Sequence, residues 1–97
     1  MLIVYKVRVK QTAIEAFKTL AKETLVPEAQ KMSGCQLFNL YQNTTTDGEF
    51  IFHELWDNEE SVHTYKLNLI TILGKPHAGE EFPAKLNDII EADEDLI

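Results

Sequence analysis

A chain of 97 residues, 44% hydrophobic and 26% charged, carries enough apolar side chain for one buried core, and the expected organisation is a single domain over residues 1–97. Nine Lys and Arg against sixteen Asp and Glu leave a formal charge of −7, which repels phosphate backbones and anionic headgroups and argues against nucleic acid as a partner. No run approaches the roughly 20 apolar residues of a membrane span, and Met1-Leu2-Ile3-Val4-Tyr5-Lys6 has neither a charged leader region nor a cleavage site, so the expected location is the cytoplasm, away from membranes.

Leu2–Val9 is rich in β-branched residues, with Ile3, Tyr5, Val7 and Val9 on one face and Leu2, Val4, Lys6 and Arg8 on the other, which predicts a first strand. Thr12-Ala-Ile-Glu15 has the form of a capping box, in which a Thr hydroxyl and a Glu carboxylate satisfy free amides at a helix start. Behind it Ile14, Phe17, Ala21, Leu25, Glu28 and Met32 recur at helical spacing, so a helix is expected up to Ser33-Gly34, with Pro27 kinking its last turns. Cys35–Gln42 then sets Cys35, Leu37, Asn39 and Tyr41 against Gln36, Phe38, Leu40 and Gln42. The polar stretch Asn43–Gly48 turns the chain, and Glu49–Trp56 returns with Phe50, Phe52, Glu54 and Trp56 on one face and Ile51, His53 and Leu55 on the other. Cys35 is the sole cysteine, which excludes an internal disulfide and a thiolate metal cage and agrees with a reducing compartment.

Asn58 is placed to cap a second helix, with Glu59 and Glu60 in the first turn near the positive end of its dipole. Val62, Tyr65, Leu69, Ile72 and Leu73 form the expected buried stripe. Gly74, Pro76 and Gly79 interrupt the chain before a third helical stretch through Phe82, Leu86, Ile89 and Ile90. In the acidic end, only Leu96 and Ile97 are left to make a short last strand.

The order strand, helix, strand, strand, helix, helix, short strand is that of an α+β fold, a ferredoxin-like split βαβ unit whose antiparallel sheet carries helices on one face. Both sheet faces nevertheless hold large apolar residues: Val4, Phe38 and Leu40, or Ile51 and Leu55, remain when the alternate set is given to the helices. Burial is worth about 25 cal/mol per Å² of apolar surface, so the bare face calls for a cover, and a second copy in a homodimer is the simplest one.

Several pieces in order resemble one family: the hydrophobic first strand, Leu25-Val26-Pro27-Glu28 before Gly34-Cys35, the strand ending Tyr41-Gln42, and Phe50-Ile-Phe-His-Glu-Leu-Trp56. The acidic-capped helix with His63, then Pro76-His77 and Ala84-Lys85-Leu86, complete the series. Along nearly its whole length the chain resembles the antibiotic biosynthesis monooxygenases, dimeric α+β barrels of about one hundred residues. It departs from their pattern in a longer stretch between Thr64 and Lys75 and in a short final strand.

The resemblance implies oxygenation of a small quinol-like or polyketide-like aromatic by molecular oxygen, with no flavin or metal as cofactor. An electron-rich phenol is deprotonated and passes an electron to oxygen, while the protein supplies a dry pocket, orientation and a proton acceptor. No Gly-rich dinucleotide fingerprint, P-loop or nucleophile elbow is present in the sequence. Two residues are candidates for catalysis. His63, four residues after Glu59, is either a proton acceptor near neutral pKa or a half-exposed helix histidine. Glu54 is a candidate base if burial leaves it unpartnered, and otherwise a carboxylate satisfied across the sheet or in the partner.

Trp56 matches the tryptophan ending the family's third strand, which lines the pocket in some members; its plainer reading is a core residue. Phe52 shares its face, and Tyr65 lies near the position where haem-degrading relatives carry a Trp. Those relatives also use an Asn on strand one, which is absent here, so haem oxygenation is disfavoured. Asn39 and Tyr41 share a strand face and are candidates to hydrogen-bond a phenol or ketone, with Glu54 as carboxylate neighbour in the expected register. His77 is a candidate through the family match, or an idle loop residue; His53 is expected on the dimer side. A metal site from His53, His63 and His77 is set aside, since no HxH or HExxH spacing occurs. Lys6, Arg8 and Lys10 either draw an anionic substrate or solvate an exposed strand end.

Two other functions fit the same fold. An isomerase of a phosphorylated small molecule needs an acid and base pair such as Glu54 and His63, plus a Lys or Arg in the pocket. A non-catalytic ligand-binding or regulatory dimer needs only the pocket.

Overall fold

The computed structural model describes residues 1–97. Strands β1 (Leu2–Val9), β2 (Cys35–Gln42), β3 (Glu49–Trp56) and β4 (Ile90–Asp95) form one sheet in the order β2-β3-β1-β4, with every neighbouring pair antiparallel. β3 lies between β1 and β2, which gives the ferredoxin-like split βαβ arrangement expected from the element order.

Between β1 and β2 the chain passes through a 3-10 turn (Gln11–Ala13), α1 (Ile14–Leu20), a π-helical turn (Ala21–Leu25) and α2 (Val26–Gln30). The capping box expected at Thr12 and Glu15 does not form: no side chain caps the turn or α1. The chain enters through the 3-10 turn instead, with the Ala13 amide bonded to the Lys10 carbonyl at 2.9 Å. The distortion expected at Pro27 falls one turn earlier. Pro27 occupies the first turn of α2, where a missing N–H is tolerated, and the π turn ends with the Val26 amide on the Ala21 carbonyl, five residues back.

β2 departs from strict alternation. Its register shifts between Cys35 and Leu37, so Cys35 opposes Trp56 while Phe38 opposes Glu54 and Leu40 opposes Phe52. Phe38 and Leu40, counted above among residues for an open face, therefore pack into the core. Leu37, Asn39 and Tyr41 turn to the opposite face with Leu55, His53 and Ile51.

α3 (Glu59–Leu73) starts where Asn58 accepts the Ser61 amide at 2.9 Å and ends at Gly74, whose φ of 97° is a conformation that glycine enters without strain. Val62, Tyr65, Leu69 and Leu73 are buried as expected, but Ile72 is 45% exposed, because the stripe set by Leu69 and Leu73 carries it onto the flank. The third helix is short, α4 (Ala84–Asn87), since Ile90 begins β4 rather than ending a helix. The last strand is thus the acidic run, not Leu96 and Ile97. Its charges are accommodated on an edge, where Lys6 lies 3.8 Å from Glu94 and Arg8 3.2 Å from Glu91.

The helices cover one face only. Phe17, Phe38, Phe50, Phe52, Trp56, Tyr65, Leu25 and Leu69 close that core, with Phe17 tilted on Phe50 at 4.6 Å and Phe38 edge-on to Tyr65 at 5.7 Å. Each such side chain contributes about 1.5–3 kcal/mol by leaving water. Gly34 permits the closest approach: a Cβ there would lie 2.2 Å from Ser61 Oγ, so glycine lets the loop before β2 pack on the start of α3. No helix is long and apolar enough to cross a membrane.

Candidate functional site

The core is not filled to the edge of the sheet. Between the inner face of β1, β3 and β4 and the underside of α3 lies a cavity of about 170 Å³. Ile3, Tyr5, Phe52 and Glu54 make its floor, because these are the inward alternates of two paired strands, with Ile3 opposite Glu54 and Tyr5 opposite Phe52. Val62, Tyr65, Lys66, Leu69 and Ile70 of α3 form the roof. Phe82, Pro83 and Leu86, with Glu81, close one side, and Asp93 and Asp95 of β4 line the other. The Tyr5 ring is stacked on Phe52 at 4.8 Å, so the two rings form one aromatic pair in the floor.

Glu54 is the one buried charged residue, 4% exposed. The alternation that buries Phe52 and Trp56 also turns this carboxyl inward. Trp56 Nε1 donates to Glu54 Oε1 at 2.9 Å, and the Tyr5 hydroxyl lies beside the same carboxyl. Burial pushes the Glu54 carboxyl above the usual carboxylate range, against the opposing pull of the Trp56 bond, the Lys66 charge and the Tyr5 hydroxyl. Burial, and next the Glu54 carboxylate, hold the Tyr5 and Tyr65 hydroxyls protonated, and raise the Cys35 thiol as well. The Tyr65 hydroxyl donates to the Leu25 carbonyl at 2.8 Å, tying α3 to the π turn.

Of the residues singled out in the sequence, Glu54, Phe52 and Tyr65 meet in the cavity wall. Trp56 lies beneath it, 1% exposed, its ring 5.3 Å from Tyr65, and reaches the cavity through Glu54. His63 is exposed and does not line the cavity; with Met1, Glu59 and Glu60 it lines an outer groove that adjoins the cavity through Ile3, Val62 and Lys66. Asn39 and Tyr41 are on the opposite sheet face, where Asn39 Nδ2 donates to the Tyr41 hydroxyl at 3.1 Å and the Tyr41 ring is 6.3 Å from His53. The register expected to make Glu54 their neighbour is corrected: the β2 shift sets Asn39 opposite His53 and Tyr41 opposite Ile51. His77 is exposed in the turn before α4, its Nε2 2.8 Å from Asp88 Oδ1. The three histidines therefore occupy three separate places: the open sheet face, the outer groove and a turn.

Tyr5, Lys66, Asp93 and Asp95 are cavity residues that the sequence reading did not single out. Tyr5 carried a signal, being an inward alternate of a central strand. Asp93 and Asp95 carried none once the acidic end was read as lying outside the sheet.

The model of the family described as antibiotic biosynthesis monooxygenase matches residues 1–66. No curated protein matches the sequence. Solved structures do match. A candidate antibiotic biosynthesis monooxygenase from Nitrosomonas europaea is 16% identical, with a TM-score of 0.75 over 98% of this chain and 92% of that one. An antibiotic biosynthesis monooxygenase is 20% identical, with a TM-score of 0.72 over 99% and 94%. A conserved protein from Methanosarcina mazei is 26% identical, with a TM-score of 0.69 over 96% and 84%.

Proposed function

The chain belongs to the antibiotic biosynthesis monooxygenase family, and from that premise we propose that it oxygenates a small phenolic or quinol-like aromatic with molecular oxygen in the cavity under α3. In such a reaction a ring C–H is oxygenated, at the para carbon of a phenol to give a quinone or at a free ring position of a quinol to give a hydroxyquinone. One atom of oxygen goes to that carbon, the other leaves as water, and the substrate supplies all four electrons, so no external reductant is required. Glu54 carries the reading: it is a buried carboxyl in the aromatic floor of the cavity, beside Tyr5 and Phe52, with one oxygen already held by Trp56. A carboxylate whose proton affinity is raised by burial is a stronger base toward a phenol than a solvated one. His63 is the weaker acceptor because it lies in the outer groove.

The working unit proposed is a cytoplasmic homodimer of this one domain. Val4, Leu37, Ile51 and Leu55 share the uncovered sheet face with Tyr41, which is 51% exposed, and with Leu2, 49% exposed, at its border. A second copy laid on that face removes the patch from water. An isomerase of phosphorylated substrates is less well supported, since Lys66 faces four carboxylates in the lining.

The test is oxygen uptake by metal-free protein with a panel of single-ring hydroquinones and electron-rich phenols with a free para position, comparing wild type with Glu54→Gln and His63→Ala. Uptake above autoxidation that is lost in Glu54→Gln and kept in His63→Ala supports the reading. Loss in His63→Ala alone moves the proton to the histidine. No uptake across the panel leaves a binding module.

A further inference from the structure

The cavity is asymmetric in charge. Its inner end is aromatic and aliphatic, with Phe52, Tyr5 and Leu69, whereas β4 contributes Asp93 and Asp95 to its other side. β4 treats its acids in two ways. Glu91 and Glu94 are paired with Arg8 and Lys6, while Asp93 and Asp95, opposite Val7 and Tyr5 and so on the inner face, form no ion pair. Glu81 adds a third exposed carboxylate to the same lining, and Lys66 is its one base. The volume sets a second limit. About 170 Å³ is close to the ~150 Å³ of an apolar protein cavity that accepts benzene, so a single ring fills it and any substituent must leave through an opening.

Resting on the reading of this cavity as the substrate site, we propose that Asp93 and Asp95 are specificity residues that select a single-ring phenol carrying a positively charged amine on a short chain. The ring lies against Tyr5 and Phe52 with its hydroxyl toward Glu54, and the ammonium group meets the β4 carboxylates. Anionic aromatics are refused by the same carboxylates, since like charges in a partly dry site repel more strongly than in bulk water. The residue types facing a ligand charge are Asp93 and Asp95 from β4, Glu81 from the segment before α4, Lys66 from α3 and Glu54 from β3.

Three probes that share one phenol ring with a free para position separate charge from shape: 3-hydroxyphenethylamine, 3-hydroxyphenethyl alcohol and 3-(3-hydroxyphenyl)propionate, titrated without oxygen by calorimetry or ligand-observed NMR. The expected order is amine tighter than alcohol tighter than acid, with roughly tenfold or more between the amine and the acid at low salt. Raising the salt, or introducing Asp93→Asn and Asp95→Asn together, should shrink that gap to about twofold, with the neutral alcohol changing less than either charged probe. An acid that binds as well as the amine, an order untouched by the double substitution, or no binding by any probe would overturn the proposal. Because the titration involves no turnover, it is independent of the oxygen-uptake test. Charge selection without oxygen uptake would retain these specificity residues and reject the monooxygenase.

Discussion

Trp56 and Glu54 are two residues apart on one strand, both turned inward, and the indole Nε1 holds Glu54 Oε1 at 2.9 Å in a site closed to solvent. A core tryptophan thereby also orients the one buried carboxyl of the protein. Local sequence alone produces this contact, since side chains at i and i+2 of a strand share a face.

The first prediction concerns stability and pH. The folded-state pKa of Glu54 is raised above its unfolded value, so the folded form binds more protons over the interval between the two. The contribution of Glu54 to stability is therefore fully present below the unfolded carboxylate pKa, near 4.5, and is lost as pH rises through the folded value. Glu54→Gln removes this loss, and its amide oxygen still accepts from Trp56. Melting temperature against pH should show the variant gaining on wild type across that window; parallel curves would contradict the assignment.

Trp56→Phe removes the donor that favours the Glu54 carboxylate, so the carboxyl should become still harder to ionise. In an active enzyme the acid limb of kcat/KM then moves to higher pH. A loss of packing alone would lower the rate without moving that limb. The smaller ring and lost hydrogen bond should also cost about 1–3 kcal/mol of stability, read by urea unfolding.

Gly34→Ala places a methyl group 2.7 Å from Ser61 Cβ and closer still to its hydroxyl. The start of α3 must shift, at a cost of about 1–3 kcal/mol. Ser61→Gly should be mildly destabilising by itself, yet the double variant should recover most of the Gly34→Ala loss. A double-mutant cycle showing simple additivity would remove this contact from the account.

Leu55→Asp puts a charge at the apolar end of the uncovered sheet face, between Leu2 and Leu37, without touching the cavity. Sedimentation should show a dimer for wild type and a monomer for the variant at micromolar concentration. Wild type sedimenting as a monomer would remove the proposed assembly.

Much of the fold was legible in the sequence because β1, β3 and α3 have clean periodicities of two and 3.6 residues, and Asn58 caps as its type predicts. The misreadings have local causes. Thr12 looked like a cap because spacing reports composition, not the 3-10 entry that satisfied the amides first. Unbroken alternation from Cys35 sends Phe38 and Leu40 to the open face, and one shifted residue in β2 reverses it. β4 was missed because its acidic residues suggest solvent, although an edge strand needs only backbone partners and two basic neighbours. The site was legible as far as Glu54, Phe52 and Tyr65 but lacked the wall that β4 adds.

β3 alternates between two surfaces: Phe52, Glu54 and Trp56 face the core and cavity, while Ile51, His53 and Leu55 face outward. Adjacent positions on a single strand thus answer to different selective demands while sharing one backbone. A substitution that tilts the strand to suit an outer contact also tilts Glu54 and Trp56, since neither can move independently of its neighbours. Divergence at the outer face is then constrained by the chemistry within, and a change of substrate can arise from residues that never meet it.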